Sequence, residues 1–140
     1  MAKVYVHTCV RVLDEERSVA FYEALGYERR GKLQFETAYN VYMGLPGDGD
    51  TLELTVNMGR EEPYDLGDGY NHIALTVDDL DAQLAELAKI GVEPEKPPFA
   101  PGGRDAVRLH EDANRCSSGK LLWVGCAHGH HLRPHLPARP

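Results

Sequence analysis

The chain has 140 residues, 42% hydrophobic and 26% charged, which is enough for one domain with its own hydrophobic core. Its formal net charge of -7 argues against a nucleic-acid-binding protein, which needs a basic face, and favours a small-molecule partner. No apolar run approaches the roughly 18 residues of a membrane span, and the N-terminus lacks the pattern of a secretory signal. We therefore expect a cytoplasmic protein that binds neither nucleic acid nor membrane.

The first predicted unit begins with the strand "VHTCVRV", in which apolar and polar residues alternate. Asp14 stands where a helix N-cap is expected, apolar residues follow at helical spacing, and Gly26 marks the end of the helix. Three more strands are predicted, in "YERRG", "QFETAYNVYMGL" and "TLELTVN". The order of elements is βαβββ.

The second unit repeats the first at an offset of 65 residues. The segments "HTCVRVLDEERSVAFYEALGYE", from His7, and "HIALTVDDLDAQLAELAKIGVE", from His72, share six identities in 22 gapless positions. Strands are predicted again in "VEPEK", "DAVRLH" and "KLLWVGC". A duplicated structural unit explains this likeness.

The predicted fold is therefore α+β, with two βαβββ modules, about residues 3–58 and 70–126, whose curled mixed sheets surround a cleft. Residues 1–126 are expected to form a single domain. All 22 carboxylates and 11 of the 15 basic residues lie at or before Asp112, so the first 112 residues carry a net charge of -11. After Asp112 the composition turns to Arg, His and Pro, and we expect residues 127–140 to be a flexible tail.

Three residues at matching places in this frame predict a metal site. His7 and His72 lie on the first strand of each module, and Glu53 lies on the face of its strand opposite to Leu52 and Leu54. Two histidines and a carboxylate that project from rigid strands into one cleft are ligands for zinc, nickel, cobalt or iron(II). Taken singly, each histidine also fits an ordinary core or surface residue, and Glu53 fits a solvated strand face.

These motifs resemble those of bacterial glyoxalase I (lactoylglutathione lyase), a member of the vicinal oxygen chelate superfamily. The segment "HTCVRV" carries His7 and Arg11, "ELTVNMG" carries Glu53 and Asn57, and "YDLGDGYNHIAL" carries His72. The resemblance covers nearly all of residues 4–112.

The resemblance implies a lyase that isomerises the hemithioacetal of methylglyoxal and glutathione to S-lactoylglutathione. One divalent metal ion, nickel, cobalt or zinc, would be held by His7, Glu53 and His72, with Glu53 also the catalytic carboxylate. Arg11 and Asn57 would bind the glutathione part of the substrate. The family also implies a homodimer, while the pairing of modules within or between chains stays open.

One part of the family pattern is absent, because glyoxalase I carries a fourth ligand, a glutamate, on the last strand. The offset points to Ser118 for this position, and no acid follows Asp112. Several alternatives stay open at this position. A substitute ligand fills it, which would be His110, Glu111, a tail histidine or water, or a reading-frame change has altered the C-terminus. The absence predicts impaired turnover and leaves open a non-catalytic drug- or small-molecule-binding protein of the bleomycin-resistance type. A ring-cleaving dioxygenase ranks lower, since it also needs a late glutamate.

Overall fold

The computed structural model describes residues 2–65, 72–93 and 120–125, with only the backbone described for His72 and for residues 120–125. The chain divides into two compact units, Met1–Asp65 and Leu66–Pro140. The first unit contains β1 (Thr8–Val12), α1 (Glu15–Ala24), β2 (Glu28–Gln34), β3 (Ala38–Gly44) and β4 (Leu52–Asn57). The predicted order of one strand, one helix and three strands is therefore confirmed for this unit.

The four strands of the first unit form one sheet in the order β1-β4-β3-β2. β2, β3 and β4 are antiparallel neighbours, whereas β1 crosses over to pair with β4 in parallel. Cys9 lies opposite Glu53 in the β1–β4 register, and Tyr42 lies opposite Glu53 in the β3–β4 register. Glu53 therefore occupies the centre of the sheet, with a neighbour on each side.

One face of this sheet is the hydrophobic core. Val41, Met43 and Leu54 are fully buried, because alternate positions of β3 and β4 point to the same side of the sheet. The helix α1 contributes Val19 and Tyr22 to the buried residues. Burial of these side chains leaves the other face of the sheet to the polar residues of the same strands.

Local signals set the helix boundaries as predicted. A side-chain oxygen of Asp14 accepts a hydrogen bond from the backbone N–H of Arg17 at 3.0 Å, which satisfies an amide of the first turn of α1. Gly26 follows the helix with φ at 92°, in the left-handed region that glycine tolerates. In the second unit Asp79 caps α2 in the same way through the N–H of Ala82.

The loop between β3 and β4 turns tightly against the end of β3. A Cβ placed on Gly44 would lie 2.2 Å from the carbonyl oxygen of Gly49, so only glycine fits there. The β2–β3 register shifts between Arg29 and Gly31. The intervening Arg30 donates hydrogen bonds to the carbonyl oxygens of Leu45 and Asp48, which ties the loop to β2.

The described part of the second unit contains β5 (His72–Val77), α2 (Leu80–Lys89) and β6 (Lys120–Gly125). β5 and β6 are antiparallel, with Ala74 opposite Trp123. A strict repeat of the first unit would make its first and last strands parallel, so the two units differ here. Neither described helix is long and apolar enough to cross a membrane.

Several predicted features fall outside the described residues. They are the strand in residues 105–110, most of the strand in residues 92–96, the tail of residues 127–140, and the ligand candidates His110, Glu111 and Ser118. The α+β class is confirmed by the elements that are described.

Candidate functional site

The polar face of the first sheet gathers the chemically active side chains of this unit. Alternation along β1 and β4 brings Arg11 opposite Thr55 and Cys9 opposite Glu53. The residues assigned to this polar face by alternation and register are His7, Cys9, Arg11, Asn40, Tyr42, Glu53, Thr55 and Asn57. Four of them, His7, Arg11, Glu53 and Asn57, were predicted as site residues from the sequence.

His7 and Glu53 are in contact on this face. His7 Nε2 lies 3.5 Å from Glu53 Oε2, and the two side chains are 34% and 11% exposed. The His7 ring meets the ring of Tyr42 edge to face, with centroids 6.1 Å apart. Glu53 is thus a nearly buried carboxylate whose nearest basic neighbour still reaches solvent.

The spacing of the two donor atoms fits a shared divalent ion. Zn–N and Zn–O bonds of about 2.0–2.2 Å at a tetrahedral angle separate the donors by about 3.3–3.5 Å, and the observed distance is 3.5 Å. Within residues 2–65 and 73–93, no group of three His, Cys, Asp or Glu side chains forms around a common point. The described residues therefore bring two donor groups together here, and an ion bound between them would need further ligands.

A hydrogen-bonded chain continues from Glu53 across the sheet. The Thr55 hydroxyl donates to Asn40 Oδ1 at 2.9 Å, and Cys9 Sγ lies 3.2 Å from Thr55 Oγ1. Partial burial raises the pKa of the Cys9 thiol most strongly; the hydrogen bond with Thr55 lowers it, the hydrogen bond and charge of Glu53 raise it, and the charge of Arg11 lowers it slightly. Cys9 is therefore a neutral thiol at neutral pH, beside the carboxylate.

Arg11 carries the positive charge of this face. It is exposed, and it makes no hydrogen bond or ion pair with the part of the chain that the structure describes. Within those residues no partner competes for its guanidinium group, whose planar fork is well suited to a carboxylate.

Asn57 ends β4 and is held by the loop that follows. Its side-chain Oδ1 accepts a hydrogen bond from the hydroxyl of Tyr64 at 2.8 Å. The guanidinium of Arg60 lies over the Tyr64 ring, 4.1 Å from the centroid, and donates to the carbonyl oxygens of Glu62 and Pro63. Asn57 is thus a constrained side chain on the polar face and not only a turn residue.

The third predicted ligand, His72, begins β5 in the second unit, where its backbone pairs with Gly125. Sequence reasoning did not single out Cys9, Asn40, Tyr42 or Tyr64. The first three follow from the alternation that identified Glu53, once the strand pairing is known. Tyr64 lies in a loop, and no periodic signal marks it.

Comparison with known proteins identifies the class to which this fold and site belong. A profile of the glyoxalase/bleomycin resistance protein/dioxygenase superfamily matches residues 6–107. The chain belongs to this superfamily, which confirms the resemblance and the vicinal oxygen chelate fold.

Its similar relatives include proteins named as lactoylglutathione lyases. The lactoylglutathione lyase of Salmonella typhimurium is 33% identical over 115 residues, which cover 76% of this chain and 83% of that protein. The probable chloroplastic lactoylglutathione lyase of Arabidopsis thaliana is 35% identical over 114 residues, which cover 76% of this chain but only 32% of the plant protein. The match therefore spans about a third of that relative's length.

A solved structure of similar fold is the trypanothione-dependent glyoxalase I of Leishmania major. It has a TM-score of 0.56 and 32% sequence identity, and the match covers 64% of this chain and 67% of that chain. Both kinds of comparison support a glyoxalase-like function.

Proposed function

We propose that this protein is a metal-dependent lyase of the glyoxalase I type, which isomerises the hemithioacetal of methylglyoxal and glutathione to S-lactoylglutathione. The observation that carries the proposal is the contact of His7 Nε2 with Glu53 Oε2 at a spacing that suits one divalent ion. The names of the relatives support the same activity.

His7 and Glu53 would hold the ion, and we assign the third ligand to His72, from the same chain or a partner chain. Nickel, cobalt or zinc would serve, and the bound ion supplies stabilisation of negative charge on the substrate oxygens. Glu53 would take the proton from the substrate carbon and return it to the adjacent carbon, which conserves atoms and charge over the isomerisation. Glu53 is only 8% exposed, which limits the contact of water with this carboxylate.

Substrate binding is assigned to the same polar face. Arg11, which lies opposite Thr55, would pair with a carboxylate of the glutathione moiety. Asn57 would donate an amide N–H to the same moiety. We also propose a homodimer, which light scattering at micromolar concentration tests directly.

We propose further that turnover is slow, because no acid follows Asp112 to serve as a fourth ligand. In the first unit Cys9 lies opposite Glu53. In the second unit Ala74 is the counterpart of Cys9, and it lies opposite Trp123, so no carboxylate occupies the equivalent place. The resemblance also gives that absent glutamate a part in proton transfer, so Glu53 would act without a second carboxylate, and loss of a general base typically costs about 10² to 10⁴ in rate.

The test combines elemental analysis with product formation. The purified protein is stripped of metal with a chelator, then supplied with nickel, cobalt or zinc, and S-lactoylglutathione formation is followed for each ion. We expect activity to vanish on stripping and to return with at least one ion. Absence of product with every ion, at substrate concentrations that saturate the Salmonella typhimurium enzyme, would contradict the proposal.

The second candidate is a binding protein of the bleomycin-resistance type, favoured by the lack of any acid after Asp112. Such a protein would bind an organic ligand without product formation and without need of metal. Calorimetry with bleomycin, on metal-free protein, separates the two. Tight bleomycin binding with no lyase activity supports this candidate, and lyase activity without bleomycin binding excludes it.

A further inference from the structure

The amide of Asn57 has one fixed orientation in this structure. Its oxygen accepts the hydrogen bond from Tyr64, so the nitrogen side points away from that hydroxyl. Asn57 Nδ2 donates to no other residue in the part of the chain that the structure describes. As far as the described residues extend, both N–H groups remain for a ligand on the polar face.

The loop that holds Tyr64 is itself braced. Arg60 stacks on one face of the Tyr64 ring, while its Nε and terminal nitrogen donate to the backbone at Glu62 and Pro63 at 2.9 and 3.1 Å. The backbone N–H of Arg60 also donates to the Asn57 carbonyl at 3.3 Å. Residues 57–64 thus close on themselves, and the ring and hydroxyl of Tyr64 keep their place without help from a ligand.

We infer that Tyr64 is a positioning residue that fixes Asn57 as a hydrogen-bond donor toward an acceptor group, a carboxylate or peptide carbonyl, on the thiol moiety of the substrate. This inference rests on the proposed function, which assigns Asn57 to that moiety. A free asparagine amide flips between two orientations and presents oxygen to the ligand in one of them. The hydrogen bond that Tyr64 donates favours the other orientation, with the N–H groups directed to the ligand, before the ligand arrives, which lowers the entropic cost of binding.

The site is therefore selective for an acceptor at this point. A ligand that offered a donor instead would meet an amide oxygen that already accepts from Tyr64, whereas an acceptor would meet the N–H groups. Asn57 lies far along β4 from Glu53, two alternate positions away on the same face, so its effect falls on binding and not on proton transfer.

A double-mutant cycle tests the inference. Tyr64→Phe, Asn57→Ala and the double variant are compared with wild type by KM and kcat for the hemithioacetal, and by the Kd of S-methylglutathione. We expect Tyr64→Phe to raise KM and Kd about three- to tenfold, with kcat changed by less than about twofold. In the Asn57→Ala background the same change should have no further effect, because Tyr64 acts through Asn57.

Tyr39→Phe is the matched control, since it removes a hydroxyl that bonds Glu15 near α1, away from the polar face. It should lower stability without raising KM or Kd. An equal effect of Tyr64→Phe in both backgrounds, or an equal effect of Tyr39→Phe on Kd, overturns the inference.

The same measurements distinguish failure of the proposed lyase function from failure of the inference about Tyr64. If no product forms but S-methylglutathione binds and the cycle in Kd shows coupling, the lyase proposal fails and the role of Tyr64 stands. If product forms and the effects on KM are additive, the lyase proposal stands and the role of Tyr64 fails. If wild type neither turns over nor binds S-methylglutathione, both are wrong.

Discussion

His7 Nε2 lies 3.5 Å from Glu53 Oε2 because the parallel register of β1 and β4 brings the start of one strand to the start of the other. The imidazole remains partly open to solvent while the carboxylate is nearly enclosed. A carboxylate in this setting needs a charged or hydrogen-bonding partner, and the histidine or a shared ion supplies one.

Glu53→Gln should therefore lower the metal content of the purified protein. Loss of a residue that merely supports a ligand already costs about 10–100-fold in metal affinity, so loss of the ligand should cost at least as much. Elemental analysis after dialysis against buffered metal measures the change. Glu36→Gln, at an exposed position between β2 and β3, is the matched control and should keep the full metal content. Equal metal content in both variants would exclude Glu53 as a ligand.

The core face of the sheet should be intolerant of truncation. Leu54 is 0% exposed, and Leu54→Ala is expected to lower the free energy of unfolding by about 2–5 kcal/mol, from lost burial and the cavity left behind. Denaturant unfolding followed by circular dichroism measures this value. Leu33→Ala, at a residue 48% exposed, should cost clearly less. A similar loss at both positions would mean that β4 is not the centre of the core.

Gly44 should not accept a side chain. Gly44→Ala would force its Cβ against the carbonyl oxygen of Gly49, and overpacking of this kind costs about 1–3 kcal/mol. Gly31→Ala meets nothing within 4 Å and should be neutral or slightly stabilising in its strand. Thermal melting of the two variants gives the comparison. Equal midpoints would show that the loop after β3 rearranges at little cost to accept the alanine side chain.

The carboxyl group of Glu15 should account for part of the loss of folding stability at acid pH. Burial alone would raise the pKa of Glu15, but hydrogen bonds with Lys32 and Tyr39 and the charges of Lys32 and Arg29 lower it. A carboxyl pKa lowered on folding stabilises the protein above its unfolded-state pKa, and this stabilisation is lost as pH falls through the folded-state pKa.

The stability difference between wild type and Glu15→Gln should therefore shrink as pH falls from about 6 to about 3. Denaturant midpoints at several pH values measure it, with Glu16→Gln as the control at the exposed neighbouring position. A difference that stays constant over this range would show that the charge of Glu15 contributes nothing to stability.

The sequence predicts most reliably what depends on neighbouring residues. Asp14 and Gly26 mark the ends of α1 because a cap and a left-handed terminus are local requirements. The polar face of β4 follows in the same way, since alternation alone separates Glu53 from Leu54.

Contacts between distant segments of the chain are harder to predict from the sequence. Cys9 meets Thr55 only through the β1–β4 register, and Tyr64 reaches Asn57 through a loop with no periodic pattern. The antiparallel direction of β6 relative to β5 departs from the repeat, because strand pairing depends on the connection between strands and not on the strand sequences alone.

The parallel pairing of β1 with β4 also determines the order in which the first unit can assemble. β2, β3 and β4 are joined by short loops and can pair as soon as each is available, whereas β1 must wait for a strand that lies beyond α1, β2 and β3. Closing that long segment costs more chain entropy and places β1 late in the folding pathway. An ion that requires both His7 and Glu53 can therefore bind only after β2, β3 and β4 have paired and β1 has joined them. Such an ion stabilises a sheet that has already formed and does not nucleate its folding.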